Sequence, residues 1–160
     1  MYNIPGRTAS NIQPETIARL AEIKNIVGIK EASASMDQSS DILKMCGDRI
    51  TILSGDDALT VPLMALGAKG VISTCSNIVP REMHDLAAAA SAGDFAKARE
   101  IHYRLLPLIR SLFVETNPIC IKQAVAFMGK CANELRMPLV PMTAAPAERL
   151  RIAMKELRLI

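Results

Sequence analysis

Ile26-Val27-Gly28-Ile29-Lys30-Glu31 is the stretch on which the fold turns. The apolar run from Ile26 to Ile29 has the pattern of a strand buried in a parallel sheet, and it ends on a lysine. Burying an ammonium disfavours its charged form and frees the amine to attack a carbonyl. A lysine closing a strand is also the ordinary entry of a solvated residue into a loop. The segment alone therefore leaves two readings open: Schiff-base chemistry at Lys30, and a plain strand end.

Working outward, strands and helices alternate through the first half. Tyr2 to Ile4 reads as a short strand stopped by Pro5-Gly6. Pro14 opens a helix to about Ile23, and Ile26 to Lys30 is the second strand. A helix through Ile42, Leu43 and Met45 follows, with Gly47 as its C-terminal cap. Ile50 to Leu53 is the third strand. Asp56-Asp57 then cap a helix ending near Gly67, and acid at that end suits the helix dipole. Gly70 to Ser73 is the fourth strand, and Pro80 starts a helix that closes at Gly93. Four such βα units imply an α/β fold with parallel strands over residues 1–92.

The second half, 93–160, carries helix signals only. Asp94 caps a long helix through Leu112 that Pro107 is expected to kink, Asn117-Pro118 opens another to about Met128, and Pro146 starts a terminal helix to about Leu157. Pro138 and Pro141 mark a loop between them. This half is expected to be a helical domain packed on the βα part.

A parallel sheet of four strands has two open edges. An eight-stranded barrel removes them but needs about 250 residues. The chain has 160, and its first strand begins beside Met1, so the expectation is the C-terminal half of a (β/α)8 barrel whose N-terminal half is missing.

Composition excludes several classes. Half of the residues are hydrophobic and 22% are charged, enough for a real core and unlike a disordered chain. The net charge of +3 is scattered rather than clustered, which argues against a nucleic-acid partner. The locally basic stretch from Arg149 to Arg158 has the spacing of a helix with a solvated face. No apolar run reaches membrane-spanning length, and Met1 to Pro5 lacks the features of a signal peptide. Cys46, Cys75, Cys120 and Cys131 are widely spaced, with no C-x-x-C pair and no nearby histidine at metal-ligand spacing. Core thiols in a reducing, cytoplasmic protein are the expectation. His84 and His102 read as ordinary helix residues.

In a βα barrel, chemistry gathers at the C-terminal ends of the strands. There the sequence offers Tyr2 and Arg7, Lys30, Gly55-Asp56-Asp57, and Ser73. A lysine, a tyrosine and an arginine together would suit a 2-oxo acid. The lysine forms the imine, the tyrosine hydroxyl relays protons, and the planar guanidinium grips a carboxylate through two hydrogen bonds. Asp56 and Asp57 read better as helix caps than as an acid–base pair. Gly67-Ala68-Lys69-Gly70 is not followed by the glycine-rich loop of a phosphate site.

Five ordered motifs carry a resemblance: Tyr2-Asn3-Ile4-Pro5-Gly6-Arg7-Thr8, Ile26-Val27-Gly28-Ile29-Lys30-Glu31-Ala32, Leu53-Ser54-Gly55-Asp56-Asp57, Gly70-Val71-Ile72-Ser73 and Phe113-Val114-Glu115-Thr116-Asn117-Pro118-Ile119. With them the chain resembles, over its whole length, the C-terminal part of the dihydrodipicolinate synthase family within the N-acetylneuraminate lyase superfamily. The resemblance implies a lyase of lysine biosynthesis that joins pyruvate to aspartate semialdehyde, giving 4-hydroxy-tetrahydrodipicolinate without metal or organic cofactor. It assigns Lys30 to the Schiff base, Tyr2 to proton transfer and Arg7 to the carboxylate of the second substrate. Gly55 and Ile72 match positions whose main chain lies beside the substrate. Thr116 stands where many members carry proline.

The resemblance also implies that the Gly-Thr-Thr motif, a second relay tyrosine and the lysine-inhibition site lie outside this sequence. Two alternatives stay beside it. One is an aldolase acting on sialic acid or another sugar acid, against which Arg7 speaks. The other is an inactive fragment that needs its N-terminal half-barrel as partner, or that assembles as a homo-oligomer.

Overall fold

The computed structural model describes residues 1–160. Three strands, β1 (Tyr2–Asn3), β2 (Gly28–Glu31) and β3 (Thr51–Ser54), form a parallel sheet in the order β1-β2-β3. Tyr2 pairs with Lys30 and Asn3 with Glu31, while Lys30 pairs in turn with Leu53 on β3. Consecutive strands lie side by side because each is followed by a returning helix.

The expected fourth strand is reduced to one position. Val71 forms a single parallel bridge with Ser54, through Ser54 N–H to Gly70 O and Ile72 N–H to Ser54 O, both at 2.8 Å. No strand lies on its other side, so the ladder has nothing to extend it. Beyond Ile72 the chain turns inward, because the carboxylate of Asp57 accepts the N–H groups of Thr74 and Cys75 at 3.1 and 3.0 Å. The architecture is therefore three strands and a bridge rather than four full βα units.

The helices are α1 (Pro5–Thr8), α2 (Pro14–Leu20), α3 (Met36–Cys46), α4 (Thr60–Leu66), α5 (Pro80–Ser91), α6 (Phe95–Ser111), α7 (Ile119–Phe127) and α8 (Ala144–Glu156). Ser35 caps α3 by accepting Gln38 N–H, and Asp94 caps α6 by accepting Lys97 N–H. Pro5-Gly6 opens α1 rather than a bare turn, since a proline suits the first turn of a helix. Helix α2 ends at Leu20, short of Ile23. Pro107 lies inside α6, which runs through it.

Apolar side chains form two clusters. The smaller packs Ile29 and Ile52 on the outer face of the sheet against Ile17, Ile42 and Leu63 of α2, α3 and α4. The larger joins both sides of the expected boundary at residue 92, with Met83 and Leu86 of α5 against Leu105 and Leu108 of α6 and Leu150 and Met154 of α8. Each fully buried leucine contributes about 1.5–3 kcal/mol. The helical part is thus fused to the βα part by a continuous core. The opposite, inner face of the sheet, which carries Tyr2, Gly28 and Lys30, is not covered by any helix cluster.

Candidate active site at the strand ends

Alternation along the strands sends Tyr2 and Lys30 to the inner face and Asn3 and Glu31 to the helix side. Lys30 is half-buried, and its Nζ stands 4.3 Å from the centroid of the Tyr2 ring. No carboxylate pairs with it: the ion pairs of the chain are Lys97–Glu100 and Arg151–Glu148, both on the surface. A cation over a tyrosine face gains about 0.5–1 kcal/mol at an exposed site. Tyr2 itself is 48% exposed, so the pair faces open space.

Gly55 follows β3, and its missing side chain leaves room for the same lysine. A Cβ built on Gly55 would lie 2.7 Å from the Ala32 Cβ, 3.1 Å from the Lys30 Cγ and 3.2 Å from the Glu31 carbonyl oxygen. The space is taken by the lysine stem and its neighbours. That is a packing reason for glycine here, where the sequence suggested ligand approach.

Arg7 comes from α1 and donates from Nη1 to the main-chain oxygen of Asn117 at 3.3 Å. This ties the segment after β1 to the connection between α6 and α7. Arg7 and Gly55 line one cavity of about 190 Å³ with Ile4, Ala32, Asp56 and Phe113. Ile72 lies after the Val71 bridge, is 45% exposed and does not line that cavity. The structure therefore joins Lys30 and Tyr2 by direct contact, sets Gly55 where an added side chain would meet the lysine stem, joins Arg7 to Gly55 through the cavity, and leaves Ile72 outside it.

Asp56 and Asp57 part company. Asp56 caps the 3-10 turn Asp57–Leu59 by accepting Ala58 N–H at 2.8 Å. Asp57 is 1% exposed and holds the Thr74–Cys75 main chain instead. Burial pushes its carboxyl above the usual carboxylate range, opposed by the main-chain hydrogen bonds from Cys75 and Thr74. Its Oδ1 is buried without a partner. Sequence spacing does not reveal this role, because its partners lie 17 and 18 residues away. Likewise Asn117, the partner of Arg7, belongs to a quoted motif that carried no assigned role. Burial raises the thiols of Cys46, Cys75 and Cys120, and all four cysteines are free.

No group of three or more His, Cys, Asp or Glu side chains is placed to hold a metal ion, and no helix is long and apolar enough to cross a membrane.

A parallel βα sheet whose polar side chains collect beyond the strand ends is the arrangement of a βα-barrel protein. The model of the Dihydrodipicolinate synthetase family matches residues 1–157, and the chain belongs to that family. It is 52% identical over 160 residues to the 4-hydroxy-tetrahydrodipicolinate synthase of Trichlorobacter lovleyi, covering all of this chain and 55% of that protein. It is 57% identical over 152 residues to the synthase of the same name from Syntrophobacter fumaroxidans, covering 94% of this chain and 52% of that one. Among solved structures, dihydrodipicolinate synthase from Aquifex aeolicus superposes with a TM-score of 0.97 at 49% identity, over 99% of this chain and 54% of its own. The synthase from Thermotoga maritima gives 0.96 at 45% identity, over 99% and 55%. The chain spans about half the length of the curated relatives it matches.

Proposed function

We propose that this chain carries the Schiff-base half of a 4-hydroxy-tetrahydrodipicolinate synthase, in which pyruvate and aspartate semialdehyde condense on the diaminopimelate route to lysine. Residues 1–92 then form the C-terminal half of a (β/α)8 barrel and 93–160 a helical domain fused to it. The observation that carries this reading is the Lys30 amine, held 4.3 Å from the Tyr2 ring on the neighbouring strand with no acid paired to it.

The Lys30 nitrogen attacks C2 of pyruvate with loss of a proton, and the carbinolamine loses water to give the imine. The Tyr2 hydroxyl carries protons to and from the departing oxygen. Loss of a methyl proton gives the enamine, whose carbon attacks the aldehyde carbon of aspartate semialdehyde. Arg7 holds the carboxylate of that second substrate, and Gly55 and Ile72 present main chain near the bound substrate. The amino group of the bound adduct then attacks the imine carbon, closing the ring and releasing Lys30. No step calls for a metal or an organic cofactor.

The open sheet edges, and relatives of nearly twice the length, support a further part of the barrel as partner, as a second chain or within a homo-oligomer. The isolated chain then makes the imine at Lys30 with little or no condensation. The four free thiols suit a reducing compartment such as the cytoplasm. The names of the relatives favour the synthase over a sugar-acid aldolase.

Incubation with pyruvate and borohydride tests the reading, because hydride reduces the imine to a stable secondary amine. An intact-mass increase of one reduced pyruvate, lost in Lys30→Ala, is expected. An unmodified chain would refute it.

A further inference from the structure

β1 is two residues long and lies at the edge of the sheet. So short a ladder fixes register weakly, and a slip of one residue would turn every side chain of the strand to the other face. Tyr2 would then point at the helices, and Asn3 would stand at the lysine.

The helix side of the same strands carries a polar network at this point. Asn3 Nδ2 donates to Glu31 Oε2 at 3.0 Å and to Asn11 Oδ1 at 2.9 Å, and Asn3 Oδ1 accepts Ile12 N–H at 3.0 Å. Glu31 Oε1 accepts Ser33 N–H at 2.6 Å. Gln38 of α3 exchanges two bonds with Asn11, at 2.7 and 3.1 Å. Asn3 and Glu31 are 1% and 3% exposed, and no cation pairs with the carboxylate. An apolar pair at this place would avoid the cost of burying a carboxylate. What the polar pair supplies is direction: its bonds can be made in only one register of β1 on β2.

We propose that Asn3 and Glu31 are positioning residues that act from the far face of the sheet, holding the Tyr2 ring and hydroxyl opposite the Lys30 amine and so setting the rate of imine formation. This rests on the Schiff-base reading of Lys30. Neither side chain reaches the inner face, so neither touches substrate.

The test is a double-mutant cycle in the full 160-residue chain. Asn3→Ala and Glu31→Gln are each made alone and with Tyr2→Phe. Borohydride trapping of pyruvate on Lys30 is followed against pyruvate concentration, at a temperature where circular dichroism reports each variant folded. Asn3→Ala is expected to slow the maximal trapping rate roughly tenfold in the wild-type background and less than about twofold beside Tyr2→Phe, since the hydroxyl it places is already gone. Glu31→Gln keeps one acceptor, and a loss of about threefold with the same dependence on Tyr2 is expected. Equal losses in both backgrounds, or unchanged trapping in a folded variant, overturn the inference. If Asn3→Ala does not fold, the near-isosteric Glu31→Gln decides by the same criterion. A wild-type chain that forms no adduct overturns the Schiff-base reading and this inference with it. An adduct whose rate ignores the network overturns this inference alone.

Discussion

The stem of Lys30 lies in the space that a side chain on Gly55 would fill, with 3.1 Å between the Lys30 Cγ and an added Cβ. The glycine after β3 thereby sets how close the lysine of β2 stands to the sheet. Gly55→Ala must displace Ala32, at 2.7 Å, or the lysine. Overpacking of this kind costs about 1–3 kcal/mol. Urea unfolding is expected to read a loss in that range, and pyruvate trapping on Lys30 is expected to slow in the same variant. Unchanged stability and unchanged trapping would mean that the contact is slack.

Asp57 joins the loop after β3 to the turn after Val71. Asp57→Ala leaves the Thr74 and Cys75 N–H groups without their acceptor, and a loss of about 1–3 kcal/mol in urea unfolding at neutral pH is expected. Asp57→Asn retains an acceptor oxygen and should lose less. The two variants also separate in pH. Burial raises the carboxyl in the folded state, so the unfolded chain gives up this proton first as pH rises. The folded state binds more protons across that window, and this contribution to stability falls as pH climbs from the ordinary carboxylate range through the raised value. Asp57→Asn is expected to remove that fall; an unaltered pH profile would contradict the assignment.

His102, on α6, shows the opposite sign. Burial lowers its pKa, with Arg110 adding to the effect, and Nδ1 is buried without a partner. As pH drops through the ordinary histidine value of about 6.5, the unfolded chain takes up a proton that the folded chain resists, so stability declines. The melting temperature of the wild type is expected to fall, relative to His102→Gln, between about pH 7.5 and about pH 5.5. Parallel curves would show that the ring titrates alike in both states.

The larger core fuses the two halves of the chain. Leu105 of α6 is fully buried in it, and Leu105→Ala is expected to cost about 2–5 kcal/mol. Tyr103, two residues away and 65% exposed, should cost less than about 0.5 kcal/mol when replaced by alanine. Chemical denaturation with one coincident transition in the Leu105→Ala chain is the expected outcome; separate transitions for the βα and helical parts would contradict a continuous core.

What was legible in the sequence was what is local. The cap Asp94 sits where helix chemistry wants it and Gly47 closes α3, while of the apolar run before Lys30 only Gly28 and Ile29 fall within β2, and Val27 is 72% exposed outside it. The fourth strand failed because strand propensity in Gly70–Ser73 is overruled by Asp57, a partner far off in sequence. The same blindness hid the Asn3–Glu31 pair. Polar residues within a strand read as solvated, and only the parallel register of β1 on β2 turns both toward the helices. Tyr2 opposite Lys30 belongs to that class too: no sequence distance announces the register, though the motif resemblance named both residues.

The most direct test of the account is to locate the pyruvate adduct by peptide mapping after borohydride reduction. The account predicts one modified lysine, Lys30, and no adduct when Lys30→Ala is treated alike. An adduct spread over exposed lysines such as Lys24, Lys44 and Lys69, or one that persists in Lys30→Ala, would contradict it.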